Sequence, residues 1–256
     1  MKPGKFDIDS EALAQRIDAH VRYGLYDINE WILQQMEIHA GLSILELGCG
    51  TGKQTLPLAR MVGTEGTVVA VDIAETALRA LQRRAQELRV DGQIRLWALS
   101  LDDLRCVPCK ELFDRALASY SLYYARDPYA VIQTVQDVLR PSGLFFFCGP
   151  GRGNNAELLR FICSLRGTEL EDDPVHVLME DKAPQMAGAY FRHVEISTFV
   201  NPLRFDSVDS LLRYWRSHNL YEEQLERDFA GAAEAHFQRH RSFETVKRVI
   251  GVKATK

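Results

Sequence analysis

A chain of 256 residues, 46% apolar and 26% charged, is long enough for one large buried core or for a domain with an embedded cap. Its formal net charge of -4 argues against a partner dominated by a nucleic-acid backbone, which selects a basic excess. The first residues hold no apolar leader, no run reaches the roughly 18 apolar residues of a membrane span, and the five cysteines are scattered, so a soluble, cytoplasmic protein without a membrane partner is expected.

The first forty residues carry a helical pattern, with Ile17, Val21 and Leu25 and then Ile28, Trp31, Ile32 and Met36 recurring near helical spacing. Residues 43–47 (SILEL) read as a short apolar strand that runs directly into a glycine-rich segment, with a helix at 53–61. The β-branched run 67–71 (TVVAV) is a second strand closed by Asp72. A helix over 75–89 sets Leu78, Leu81, Ala85 and Leu88 on one face. Residues 94–98 and 113–119 read as strands, and Pro128 opens a helix carrying Val131, Val135, Val138 and Leu139. That helix stops at Pro141-Ser142-Gly143, and 144–148 is a fifth strand. Strands alternating with helices predict βαβ units, a parallel sheet and, through right-handed crossovers, a doubly wound α/β fold.

After Gly153 the rhythm changes. A helix (155–166) precedes an acidic, less periodic stretch (169–181), then a strand at 194–200, a helix marked by Val208, Leu211, Leu212 and Trp215, a polar helix over 222–240 and a final strand at 243–252. The sheet expected is therefore seven-stranded and mostly parallel. The chain is expected to be one domain, with a helical lid at 1–40, a cofactor core at 41–150, a cap and late strand at 151–242, and a last strand at 243–256.

The informative segment is Glu46-Leu47-Gly48-Cys49-Gly50-Thr51-Gly52, between a strand and a helix. Its glycines let the backbone turn tightly and approach a ligand that then meets the helix N-terminus. A phosphate-binding P-loop needs GxxxxGK followed by Ser or Thr, but Gln54 follows Lys53 and Leu47 stands where the first glycine belongs. The dinucleotide pattern GxGxxG also fails, because Lys53 occupies the third-glycine position. The remaining reading is S-adenosylmethionine.

ELGCGTG resembles the first motif of class I S-adenosylmethionine-dependent methyltransferases. VVAVDIAE resembles their second-strand motif, FDRALASYSLYYARD the fourth-strand motif and LRPSGLFFF the segment before the fifth strand. The likeness runs from about Ser43 to Pro150 and is similar to the UbiE/type 11 group, which implies a Rossmann-like methyltransferase fold. Carried residue by residue, it implies that Asp72 accepts from the ribose hydroxyls and Ile73 packs on adenine. Glu46 holds the loop N–H groups or the cofactor's ammonium, Gly50 and Thr51 face the methionine portion, and Gly48, Cys49, Gly52 and Ser119 also belong to the cofactor-binding set. The family's acid after the third strand is missing. Ser100 stands there, so either Ser100 or Asp102 meets adenine, beside the Leu101 backbone. Relatives often have histidine where this chain has Tyr124.

Tyr120, Tyr123 and Tyr124 are candidates for the wall of the acceptor site, since a normal tyrosine is a poor base but a good neighbour for a methylsulfonium. Tyr23 and Tyr26 are candidates for the entrance, while Trp31 reads as core. No catalytic base is assigned; His176 and His193 are the better candidates. Cys106 and Cys109 form half a zinc pattern without a second half, and His236 and His240 lack a metal-binding context, so no metal is expected. The expected reaction is direct displacement of a methyl group onto an O or N atom of a small molecule. Methylation of RNA or protein, and a non-catalytic module that only binds S-adenosylmethionine, are the alternatives.

Overall fold

The computed structural model describes residues 18–19, 22–106 and 112–256. Ile17, Val21, Cys109 and the side chain of Cys106 lie outside them. Seven strands form one sheet in the order β3-β2-β1-β4-β5-β7-β6. They are β1 (Ser43–Leu47), β2 (Thr67–Asp72), β3 (Ile94–Ala98), β4 (Phe113–Ser119), β5 (Leu139–Pro150), β6 (His193–Phe205) and β7 (Phe243–Thr255). All neighbours from β3 to β5 pair in parallel, and β7 alone runs against the rest.

Alternation along the central strands divides the core between the two sheet faces. Leu45, Val69, Ala116, Phe145 and Val252 point to one face. It is covered by α4 (Pro128–Val138) and by the turns α6 (Pro174–Val177) and α7 (Ala183–Gly188), joined by a wide π turn at Leu178–Lys182. Ile44, Val68, Ala70, Leu117 and Phe146 point to the other face, beneath α1 (Ile28–Met36), α2 (Thr55–Val62) and α3 (Glu75–Glu87). Asp127 caps α4 by accepting from the Ala130 N–H, with Pro128 in the first turn. Trp31 packs edge-on against Phe146 at 5.4 Å, in keeping with its reading as a core residue.

A third core stands apart from both faces. In register, Pro150 at the end of β5 faces Val249, which faces Phe199. The pairs from Val200↔Arg248 to Phe205↔Phe243 therefore overhang the carboxyl edge of the parallel strands. On this overhang α5 (Ala156–Arg166), α8 (Val208–Arg216) and α9 (Glu226–Phe237) bury Leu158, Leu203, Phe205, Leu211, Tyr214, Trp215 and Phe229. Trp215 stacks on Phe229 at 4.0 Å.

The late elements differ from the sequence reading at their ends. β6 and β7 are longer than expected, because their overhanging halves are stabilised by each other and by this cap core rather than by a local pattern. The polar helix is shorter, spanning Glu226–Phe237. α2 begins at Thr55 rather than at residue 53, because residues 50–54 are spent in turns. Leu139 already pairs with Phe113, and Pro141-Ser142-Gly143 bulge out before pairing resumes at Arg115↔Leu144, since proline cannot donate to a ladder. The acidic stretch is partly helical: Asp172 and Asp181 bind Arg152, and Glu180 accepts from Arg248 at 2.9 Å and from the Arg152 N–H at 2.8 Å.

The segment before α1 is strapped to the overhang. Gly24 bridges Leu203, and the buried Asn201 side chain accepts from the Leu25 and Tyr26 N–H groups and donates to the Tyr26 carbonyl. Asn201→Ala leaves those groups unmatched and is expected to cost about 1–2 kcal/mol. Urea denaturation measures the loss, and faster proteolysis near residue 25 would mark its location.

Candidate cofactor site at the carboxyl edge

β1 has β2 on one side and β4 on the other, so the strand order reverses beside it, and ligands of open α/β sheets bind at such a switch point. The glycine loop leaves β1 there. Gly48, Gly50 and Gly52 all have positive φ, of 73°, 52° and 86°. A Cβ on Gly48 would lie 2.3 Å from Ser121 Cβ, and one on Gly52 would lie 2.2 Å from Leu81 Cδ1. A Cβ on Gly50 would meet nothing within 4 Å, so this bare backbone faces open space.

The loop is held from β2. The Gly48 and Cys49 N–H groups donate to the Val71 carbonyl at 2.8 and 3.0 Å. Asp72 accepts from the Gly50 N–H at 2.7 Å and, through its other oxygen, from the Ala74 N–H at 2.8 Å. Arg84 donates to the Thr51 carbonyl at 3.2 Å. Glu46 is 1% exposed, and its carboxylate accepts from Thr55 Oγ1 at 2.6 Å rather than from the loop amides. Burial, with a smaller contribution from the Asp72 charge, pushes the Glu46 carboxyl up to about 8 despite the Thr55 bond. Cys49 is buried, and its thiol is pushed up by burial. Ile73, by contrast, is 73% exposed beside Asp72.

After β3, Ser100 and Asp102 stand in different surroundings. Asp102 accepts from the Arg126 side chain at 3.0 Å and from the Arg126 N–H at 2.9 Å. Burial raises its carboxyl, but these bonds bring it below the usual range, and the side chain is committed to the start of α4. Ser100 Oγ accepts from the Asp102 N–H at 3.3 Å. Leu101, Asp102, Arg126 and Thr134 line a cleft of about 290 Å³ here.

Among the tyrosines, Tyr120 directly follows β4 and donates its N–H to the Cys148 carbonyl at 2.9 Å. Ser119 Oγ accepts from the Cys148 thiol at 3.8 Å. Tyr123 is buried in the main core against the place where a Gly149 side chain would stand, and Tyr124 lies half-buried with its ring 4.6 Å from that of Tyr123. Tyr23 packs on Phe205 at 4.9 Å in the cap core, and the Tyr26 side chain is 61% exposed. The structure thus gathers Glu46, the loop, Asp72, Ile73, Ser119 and Tyr120 at one edge, while Tyr23 lies in the cap core and Tyr123 in the main core. His193 pairs with Thr255, which faces Leu144, so it lies toward the amino edge of the sheet, far from the loop. His176 is buried among Asp172, Asp173, Glu180 and Arg152, with its pKa lowered chiefly by burial.

Three side chains at this edge were not read from the sequence. Ser121 donates to the Leu47 carbonyl at 2.6 Å and fills the space beside Gly48. Lys53 is largely buried next to the loop, which lowers its pKa. Lys247, on the β7 overhang, stands 5.2 Å above the Tyr120 ring. Only Lys53 carried a signal, as a cation inside the glycine motif.

A family model described as a methyltransferase domain matches residues 38–189. The chain belongs to the methyltransferase domain family. It is a class I member, with S-adenosylmethionine as its cofactor. It is 32% identical over 117 residues to a demethylmenaquinone methyltransferase of Shouchella clausii, covering 43% of this chain and 46% of that protein. It is 35% identical over 121 residues to the nocamycin O-methyltransferase of Saccharothrix syringae, covering 46% and 41%. The match therefore spans less than half the length of these curated relatives. A S-adenosylmethionine-dependent methyltransferase from Aquifex aeolicus shares the fold with a TM-score of 0.57 at 12% identity, covering 96% of this chain and 97% of that one. No helix among the described residues is long and apolar enough to cross a membrane.

Proposed function

We propose that this methyltransferase moves the methyl group of S-adenosylmethionine to an O or N atom of a small-molecule acceptor beneath the cap. The observation that carries the reading is the open space over Gly50, next to Asp72 and the exposed Ile73, at the switch point of the sheet. When bound, the cofactor supplies a methyl group activated by its sulfonium. Asp72, already oriented by two backbone N–H groups, would receive the ribose hydroxyls. Ile73, Ser100 and Leu101 would border adenine, while Glu46 and the Gly48, Cys49, Gly50, Thr51, Gly52 and Ser119 segments would hold the methionine portion. Tyr120 and Tyr124 would bound the acceptor, with Tyr26 at the entrance. In a direct displacement that needs no group other than the two reactants, positioning supplies much of the rate.

The small-molecule acceptor is supported by the names of the two relatives, which act in menaquinone and nocamycin chemistry. The division into lid, cofactor core and cap is supported by the separate third core. A cytoplasmic setting is supported by the unpaired Cys49, Cys148 and Cys163.

Calorimetric titration of S-adenosylmethionine and S-adenosylhomocysteine into wild type and Asp72→Ala tests the reading. The expected result is binding to wild type and a loss of at least about tenfold, or ~1.4 kcal/mol, in the variant. Absence of binding to a well-folded wild type would overturn it.

A further inference from the structure

Lys53 is a cation that the fold covers without giving it a bonded partner. It lies between Gly52 and Thr55, in the turns that join the glycine loop to α2. Most of its surface is covered, yet among the described residues its ammonium makes no hydrogen bond and no ion pair. A lysine is rarely covered in this way unless it is paired, because a charge that leaves water must be compensated. The ammonium is not among the sealed polar atoms of the molecule, so it still meets solvent and a ligand can reach it.

Its surroundings place it at the carboxyl edge of the sheet. On the helical side, Asp27 attracts the ammonium, but burial outweighs that attraction and Lys53 stays below its ordinary pKa. The Asp27 carboxylate is engaged at the start of α1, where it accepts from the Asn29 N–H at 2.8 Å and from Asn29 Nδ2 at 2.9 Å. Asn29 Oδ1 in turn accepts from Gln54 Nε2 at 3.2 Å, which packs the start of α1 on the residue after Lys53. On the sheet side, Lys53 feels the Cys148 thiol at the end of β5, and that thiol donates to Ser119 Oγ at the end of β4 at 3.8 Å. Since β4 lies between β1 and β5, the ammonium is directed from the loop after β1 across the ends of the strands. Cys148 is no counter-ion, because its thiol is pushed up to about 11 and is neutral at pH 7.

We propose that Lys53 receives the carboxylate of S-adenosylmethionine and so sets the preference for a cofactor that carries its complete amino-acid end. This rests on the methyltransferase reading above and assigns a residue to a charge of the cofactor that Asp72 and Glu46, both acids, cannot hold. The ammonium and the carboxylate of the cofactor are borne on one carbon, so their receivers must stand together. They do: Glu46 is bonded to Thr55 at 2.6 Å, at the end of the turn that carries Lys53. The carboxylate supplies the partner that the fold withholds from the lysine, and a charge-assisted bond in a covered place is stronger than the same bond in water.

The test is calorimetric titration of three probes: S-adenosylhomocysteine, its decarboxylated analogue, and methylthioadenosine, which lacks the amino-acid end altogether. Wild type is expected to bind S-adenosylhomocysteine at least about tenfold more tightly than the decarboxylated analogue. Lys53→Met is expected to abolish that preference, Lys53→Arg to keep it, and methylthioadenosine to bind all three proteins alike. Lys53→Met keeps the apolar stem and removes a covered charge, so it should be no less stable to urea than wild type. Lys53→Gln is expected to behave as Lys53→Met and decides the question should the latter fail to fold. If well-folded wild type binds none of the probes, the parent reading fails. If S-adenosylhomocysteine binds but its decarboxylated analogue binds equally well, or if Lys53→Met keeps the preference, the assignment of Lys53 is overturned and the loop N–H groups hold the carboxylate alone. A parallel loss of methylthioadenosine affinity in Lys53→Met also overturns it, because the lysine would then only shape the loop.

Discussion

Gly48→Ala is expected to remove about 4 kcal/mol of stability, from a left-handed backbone cost of about 1–2 kcal/mol and an overpacking cost of about 1–3 kcal/mol. The first follows from φ of 73° and the second from a Cβ placed 2.3 Å from Ser121 Cβ. Ser121 cannot swing away cheaply, because the atom struck lies next to its backbone and its hydroxyl is bonded to the Leu47 carbonyl at 2.6 Å. Adding Ser121→Gly to the variant removes the collision but not the φ penalty, so about half of the loss should return. Gly50→Ala is the contrast. Its φ of 52° is also left-handed, but nothing lies within 4 Å of the new methyl, so the fold should lose only about 1–2 kcal/mol while cofactor affinity falls. Urea denaturation of the variants measures these differences. A Gly48→Ala protein no less stable than Gly50→Ala would show that the wall behind the loop yields.

Much of this edge was legible because its signals are local. A strand, three glycines at alternate positions and a helix occupy residues 43–62, and the turn chemistry of the glycines is written in adjacent residues. Asp72 was legible for the same reason, at the end of a β-branched run. What escaped depends on contacts distant in sequence. The bond that ties Asp102 to Arg126, just before α4, is one such contact. The full lengths of β6 and β7 depend on their pairing with each other and on the cap core. Alternation does not mark them, since Ile196 and Val200 remain exposed on an outer face. Tyr123 and Tyr124 are identical neighbours in the sequence, yet one is core and the other half-buried, because Met179 from the π turn closes over Gly149 and Tyr123 together. Lys247 carried no signal at all, lying in a strand of imperfect alternation whose overhang brings it above Tyr120.

Affinity for S-adenosylmethionine is expected to fall about tenfold for each pH unit below 8, down to about pH 6, and this dependence should vanish in Glu46→Gln. In the unliganded protein the Glu46 carboxyl is raised to about 8, so at pH 6 to 7 it is protonated. If it receives the cofactor's ammonium, as proposed, the complex requires the ionised form, and binding releases a proton throughout this range. The sign follows from linkage: the ligand favours the deprotonated state, so raising the pH toward 8 strengthens binding, and above 8 the gain levels off. Glutamine keeps the shape and can still accept from Thr55 Oγ1, whose bond at 2.6 Å ties β1 to α2, so the variant should fold. It cannot ionise, and its affinity should be flat across pH 6 to 8 and below that of wild type at pH 8. Calorimetry in buffers of different ionisation enthalpy reads the released proton directly. A flat wild-type profile, with equal affinity in Glu46→Gln, would reduce Glu46 to a buried tie between the first strand and the helix that follows the loop.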